Sequence, residues 1–228
     1  MSPVRIDHFV RSTRCWLGRA ALGAFVAVVW IAPASAQEPP PLPGAAPAGT
    51  GWRPRIVREG TVSLGGQAQY GTFFANTGFG RDYDAGPGMT IRLRYRTSRE
   101  TALGLSFEGQ RMNATEDPVA SDDPDWIRGI VTTFDYYQYF RVKKRAPRYL
   151  VAGAGLVQTR RQLQNGETEF PGDAGVVTLG AGTEIWWKRG ITFDLSARYY
   201  LFASGGDGAV ELSHNVQAAL GFQLYTSK

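Results

Sequence analysis

Alternation with a period of two constrains this chain more than any other feature. It is clearest in Met89–Thr97, which reads Met-Thr-Ile-Arg-Leu-Arg-Tyr-Arg-Thr. Ile91, Leu93 and Tyr95 share one parity, and Arg92, Arg94 and Arg96 share the other. Successive side chains of a strand point to opposite faces, so this stretch makes a strand with one apolar and one cationic face. What the chain can become depends on how often that pattern recurs.

It recurs throughout. Thr61–Phe74 sets Val62, Leu64, Ala68, Tyr70 and Phe74 against Ser63, Gln67 and Gln69. Thr101–Arg111 sets Leu103, Leu105 and Phe107 against Ser106, Glu108 and Gln110. Ile130–Val142 sets Ile130, Phe134, Tyr136 and Phe140 against Thr133, Asp135 and Arg141. Tyr149–Arg160 is a further strand in which glycine and alanine blur the faces. Gly175–Trp187 sets Val177, Leu179, Ile185 and Trp187 against Thr178 and Glu184. Ile191–Phe202 sets Ile191, Phe193, Leu195, Tyr199 and Leu201 against Thr192, Asp194, Ser196 and Arg198. Leu212–Tyr225 sets Leu212, Val216, Leu220, Phe222 and Leu224 against Ser213, Asn215, Gln217 and Gln223. No run beyond the proline-rich segment carries a 3.6-residue period, so the expected fold is all-β with eight strands.

The connections alternate in length. Ser98–Glu100, Lys143–Pro147 and Lys188–Gly190 are short, whereas Ala75–Gly88, Met112–Trp126, Gln162–Ala174 and Ala203–Glu211 are long. An even-stranded meander places all long loops at one end and all short turns at the other. The ends differ in charge as well: Met112–Trp126 holds Glu116, Asp117, Asp122, Asp123 and Asp125 without a base, while Lys143, Lys144, Arg145, Lys188 and Arg189 crowd the short turns.

A soluble lipocalin-like barrel would turn the apolar parity inward; a membrane barrel turns it out to lipid. Four features select the membrane form. Loop lengths alternate, and strands of about 10–14 residues exceed the roughly 9–11 needed for a tilted span. Aromatics gather at strand ends as interfacial girdles do: Tyr70, Phe73, Phe74, Trp126, Tyr199 and Tyr200 at one end, and Phe140, Tyr149, Trp186, Trp187 and Phe222 at the other. The chain also finishes on an alternating strand with Phe222 and Tyr225. The expected architecture is an eight-stranded antiparallel up-and-down transmembrane β-barrel.

The amino terminus agrees with export. Arg5, Arg11, Arg14 and Arg19 precede an apolar core, Ala20–Ala32, and Ala34-Ser35-Ala36 is a small-residue cleavage signature. This is the pattern of a secretory signal peptide over residues 1–36, too short in its apolar core for the roughly 20 residues of a spanning helix. Its loss takes four arginines and Asp7, lowering the formal net charge from +5 by three to +2. The basic balance therefore belongs mostly to the leader and gives no reason to expect nucleic acid. Cys15, the single cysteine, lies ahead of the apolar core and is removed too, so it is not a lipid-attachment cysteine. Residues 37–56 are rich in proline and alanine and read as an extended tether. The barrel then occupies residues 57–228.

In these strands, residues 57–228 resemble the small eight-stranded outer-membrane barrels of the OmpA transmembrane-domain, OmpX and OmpW kind. The closing strand Val216–Tyr225 is similar to that family's C-terminal strand, which the assembly machinery reads at a terminal aromatic; here Thr226-Ser227-Lys228 follow it. The resemblance implies a Gram-negative outer membrane, contact with its lipid and lipopolysaccharide, and both termini in the periplasm.

An eight-stranded barrel is narrow enough for side chains to fill. The inward parity supplies Gln67, Gln69, Arg92, Arg94, Arg96, Glu108, Gln110, Asp135, Glu184, Asp194, Arg198, Gln217 and Gln223. Buried charges need partners. The tight turn at Lys188–Gly190 sets Glu184 against Asp194, and Arg94 and Arg96 lie at similar depth about half a circumference away. The expectation is an ion-pair network of Arg92, Arg94, Arg96, Glu108, Asp135, Glu184, Asp194 and Arg198 that closes the lumen, with a structural or surface-interaction role for the protein.

Competing readings are weaker. A conducting channel of the OmpW kind needs an opening past the arginines. A glycosidase-like pair at Glu184 and Asp194 needs a cleft that a filled lumen lacks. Some small outer-membrane barrels deacylate lipid A with a lipid-facing His/Ser/Glu set. The mature chain has one histidine, His214, and Val216 stands where that pattern has serine. With no mature cysteine and one histidine, neither metal nor cofactor is expected. The pairs Gly65-Gly66, Gly153-x-Gly155 and Gly180-x-Gly182 precede no helix, so they serve bending and close packing rather than phosphate binding.

Overall fold

The computed structural model describes residues 57–74, 83–115, 124–188, 190–206 and 209–226. The signal peptide and tether expected over residues 1–56 lie outside them. Eight strands form: β1 Val62–Phe73, β2 Gly86–Arg96, β3 Thr101–Asn113, β4 Pro124–Phe140, β5 Arg148–Leu163, β6 Thr168–Lys188, β7 Ile191–Gly206 and β8 Ala209–Tyr225. Each pairs antiparallel with the next, and β1 pairs antiparallel with β8, closing the barrel.

Burial follows sequence parity. Ile91, Phe134 and Leu156 are 58%, 59% and 62% exposed, whereas Arg92 and Arg94 are 1% exposed. An apolar exterior around a polar, charged interior is the membrane arrangement and the reverse of a lipocalin-like core.

Three expectations need correction. First, two of the long connections are mostly strand. β5 runs to Leu163 and β6 begins at Thr168, with Arg161 opposite Glu169 and Gln162 opposite Thr168. Their turn is closed by the amide of Gly166 donating to the Leu163 carbonyl, with Gly166 at φ 88°. Likewise β7 reaches Gly206 and β8 starts at Ala209. β6 is 21 residues long, about twice what a tilted span needs. Above the lipid both strand faces meet water, so the apolar alternation stops while backbone pairing continues. The expected acidic residues Glu116, Asp117, Asp122 and Asp123 lie outside the described residues.

Second, four of the eleven aromatics expected in the girdle are not on the outside. Tyr70, Phe74, Phe140, Trp187 and Phe222 face lipid, but Phe73, Tyr149, Trp186 and Tyr200 are buried in the lumen. Adjacent residues of a strand cannot share a face, so Phe73-Phe74, Trp186-Trp187 and Tyr199-Tyr200 each send one ring inward. Third, Arg141 is not a lumen residue. It is exposed, at φ 55°, in the turn where the Lys144 amide donates to its carbonyl.

Glycines on the inward parity make room for the lumen side chains. A Cβ on Gly182 would collide with the Tyr149 ring and the Leu195 carbonyl, and one on Gly153 with Asp135. Gly66 lies on the outward parity, and a Cβ there would meet nothing within 4 Å. Overpacking should make Gly182→Val lower the unfolding free energy by about 1–3 kcal/mol. Gly66→Ala should change it by less than about 0.5 kcal/mol. Urea titration of the barrel refolded into lipid vesicles checks both.

Candidate functional site

Among the described residues, the lumen is where this fold buries charge. β2, β6 and β7 carry its centre, because their inward positions hold Arg92, Arg94 and Arg96, then Glu184, then Asp194 and Arg198. β3 and β4 add Glu108 and Asp135. All eight of these expected residues are buried, at 3% exposure or less. Four guanidinium groups therefore share the interior with four carboxylates.

Towards the short turns, Arg94 is the centre. Glu184 and Asp194 are direct cross-strand partners, which sets two carboxylates side by side. The Arg94 fork separates them, Nη1 donating to Glu184 Oε1 at 2.6 Å and Nη2 to Asp194 Oδ2 at 2.5 Å. Two charge-assisted bonds from one planar cation hold the like charges in a defined geometry. Arg96 Nη2 lies 3.5 Å from Glu184 Oε2, its guanidinium 3.3 Å from the centroid of the Tyr139 ring.

Nearer the long-loop end a second group forms. Arg198 Nη2 donates to Asp135 Oδ2 at 3.0 Å, and Ser106 Oγ donates to the same oxygen at 2.6 Å. Glu108 Oε1 sits 3.6 Å from Arg198 Nη1 and 3.8 Å from Arg92 Nη2. Arg92 Nη1 donates to Ser196 Oγ at 3.3 Å.

Sequence reasoning left out the tyrosines that join these groups. Tyr139 donates to Glu184 at 2.7 Å, Tyr149 to Asp194 at 2.6 Å, Tyr200 to Glu108 at 2.6 Å and Tyr137 to Asp135 at 3.1 Å, while Tyr225 also donates to Glu184. The Tyr137 and Tyr149 rings lie 4.4 and 5.0 Å from the Arg94 guanidinium carbon. Each ring thus offers a cation a π face and a carboxylate a donor. The signal was present: Tyr137 and Tyr139 share the parity of Asp135.

Above the charges the lumen becomes amide and then apolar. Gln217 donates to Gln110 at 2.9 Å. Beyond them Phe73, Tyr83, Met112, Ile127, Val131, Val157 and Phe202 pack together, around a cavity of about 20 Å³. That volume is near the 10–15 Å³ that admits one water.

Among the described residues, no serine–carboxylate set stands beside His214 on the outer wall. Its ring is half-buried on the lipid side, with Nδ1 2.6 Å from the Tyr199 hydroxyl and the Phe74 ring 5.7 Å away. Ser213 faces the lumen at 0% exposure and Val216 follows on the histidine's own face. Among the described residues no group of three or more His, Cys, Asp or Glu side chains is placed to hold a metal ion.

A family model described as outer membrane protein beta-barrel domain matches residues 24–223. The chain belongs to that family. Solved structures agree on the fold. Neisserial surface protein A, NspA, matches with a TM-score of 0.55 at 15% identity, covering 73% of this chain and 99% of that one. OprG of Pseudomonas aeruginosa matches with a TM-score of 0.51 at 10% identity, covering 75% and 98%. No curated protein matches the sequence. The family and the fold make this an outer-membrane β-barrel protein.

Removing Arg94 alone leaves buried Asp194 without its cation and Glu184 with only Arg96, 3.5 Å away. Arg94→Met should therefore cost about 3–5 kcal/mol of unfolding free energy. Adding Glu184→Gln and Asp194→Asn should restore most of the loss. Urea unfolding in lipid vesicles, followed by tryptophan fluorescence, measures both; a triple variant no more stable than the single one would refute a charge-pairing role.

Proposed function

We propose that this barrel is a non-conducting outer-membrane protein with a structural or surface-interaction role, its lumen closed by the arginine–carboxylate–tyrosine network. One observation carries the reading. Arg94 reaches from β2 across the interior to carboxylates on β6 and β7, four and three strands away around the ring, with all three side chains at 1% exposure or less. A solute crossing the barrel would have to break both bonds and separate buried Asp194 from its cation. The apolar packing at the opposite end adds a second block in series.

In this reading residues 1–36 are a cleaved signal peptide and residues 37–56 a periplasmic tether. Both termini then lie in the periplasm, on the side of the short turns, and the C-terminal strand ending at Tyr225 is what the assembly machinery recognises. The partners are outer-membrane lipid and lipopolysaccharide. No catalytic role is assigned to Glu184 and Asp194, because both are held in bonds to Arg94 and fully buried.

Planar-bilayer recording tests the closure. The native protein should show no steady conductance, and a variant with Arg94→Ala, Glu184→Ala, Asp194→Ala and Arg198→Ala should admit ions. A steady open pore in the native protein would overturn the plug and favour a channel. Export is read separately: the mature chain should begin at Gln37 on N-terminal sequencing, fractionate with outer membranes and migrate differently on gels when unheated.

A further inference from the structure

The outer wall carries a second set of arginines that the lumen does not use. Arg111, Arg128 and Arg160 are exposed on the outward parity of β3, β4 and β5. The ladder registers align them: Arg111 is the cross-strand partner of Arg128, and Arg128 of Arg160. Three cations thus stand abreast on adjacent strands, a row about 10 Å long at the usual strand spacing. Like charges directly opposite one another in a sheet are destabilising unless an anion lies between them.

Among the described residues, local contacts orient the row without neutralising it. The Arg111 guanidinium carbon lies 4.7 Å from the Trp126 ring and that of Arg160 lies 5.2 Å from the Phe170 ring, so both are braced by aromatic faces. The nearby carboxylate of Glu169 pairs with Arg161. Depth supplies the remaining constraint. Two residues towards the middle of the wall come Gly109, Ile130 and Gln158; two further come Phe107, Thr132 and Leu156. Phe107 and Leu156 are 48% and 62% exposed and belong to the lipid-facing band. The row therefore sits at headgroup height, directly above an acyl-chain surface, at the end away from the short turns.

We propose that Arg111, Arg128 and Arg160 bind the phosphorylated headgroup of an outer-leaflet glycolipid, whose acyl chains lie on Phe107, Ile130 and Leu156. The guanidinium fork matches phosphate oxygens in bidentate geometry, and three adjacent forks suit a headgroup carrying more than one phosphate. Contact with both phosphate and chains selects an amphiphile over a free anion. The proposal rests on the outer-membrane orientation given above, with the long strand extensions outside the cell.

The experiment uses the full mature protein in detergent micelles, with bis-phosphorylated lipid A as probe and native mass spectrometry as readout. The native protein should retain lipid A, and Arg111→Gln/Arg128→Gln/Arg160→Gln should lower retention about tenfold or more. Arg128→Gln alone, a milder change, should lower it measurably, while Lys143→Gln/Lys144→Gln at the other end should not. Unheated gel migration confirms that each variant is folded. Equal retention in the triple variant, or equal retention of phosphatidylglycerol or of lipid A stripped of phosphate, overturns the proposal. So does retention that appears only after Glu116, Asp117, Asp122 and Asp123 are neutralised, because the acidic connection then occupies the row. Orientation is read independently by labelling Asn165→Cys on whole cells with an impermeant maleimide; no labelling overturns the outer-leaflet placement. Conductance of the triple variant should stay at the native level, so failure of the lipid row and failure of the lumen plug give different results.

Discussion

In the hydrocarbon of a bilayer an unpaired backbone amide or carbonyl has no water to turn to, and each one costs several kcal/mol. A chain made of strands meets that demand by closing on itself, and here β1 completes the ring by pairing with β8. Closure with eight strands leaves an interior that side chains fill. Alternation then divides every strand between lipid and lumen, and the apolar wall and the charged interior become two consequences of one hydrogen-bonded cylinder.

The interior is polar because the apolar parity is taken by lipid. Its ions are affordable only together: Arg92, Arg94, Arg96 and Arg198 share a small space with Glu108, Asp135, Glu184 and Asp194. Pairing also constrains the wall. A slip of one residue in β2 would carry three arginines into the hydrocarbon and their partners' surroundings with them, so the network and the lipid both specify register. Inward glycines such as Gly153 and Gly182 leave the space that Asp135 and Tyr149 occupy. Bulk on one strand is matched by its absence on the next.

The strands were legible wherever one face met lipid, because only there do the two faces differ in polarity. They were not legible above the membrane, where Gln162 and Thr168 pair on through a stretch that reads as loop. Adjacent aromatics misled for a related reason: Trp186 and Trp187 both suggest an interface, yet one must turn inward, where Trp186 stacks 5.1 Å from Tyr225. Arg141 kept the lumen parity in sequence, but the strand ends before it. The tyrosines were missed because an amphipathic ring fits either face until its hydroxyl finds a partner.

By itself the sequence determined strand number, which parity faces lipid, and which charges enter the lumen, since these follow from local periodicity and the exclusion of ions from hydrocarbon. It also set Glu184 against Asp194, because a tight turn leaves little freedom of register. Register also set Arg94 and Arg96 near the depth of that pair. Tertiary structure alone decided that Arg94 bonds both carboxylates while Arg96 lies against Glu184 only, because side chains of one parity are separated by depth within a closed, tilted cylinder. It alone brought Arg111, Arg128 and Arg160 abreast. Positions dozens of residues apart become neighbours only when the ladders between β3, β4 and β5 settle into register.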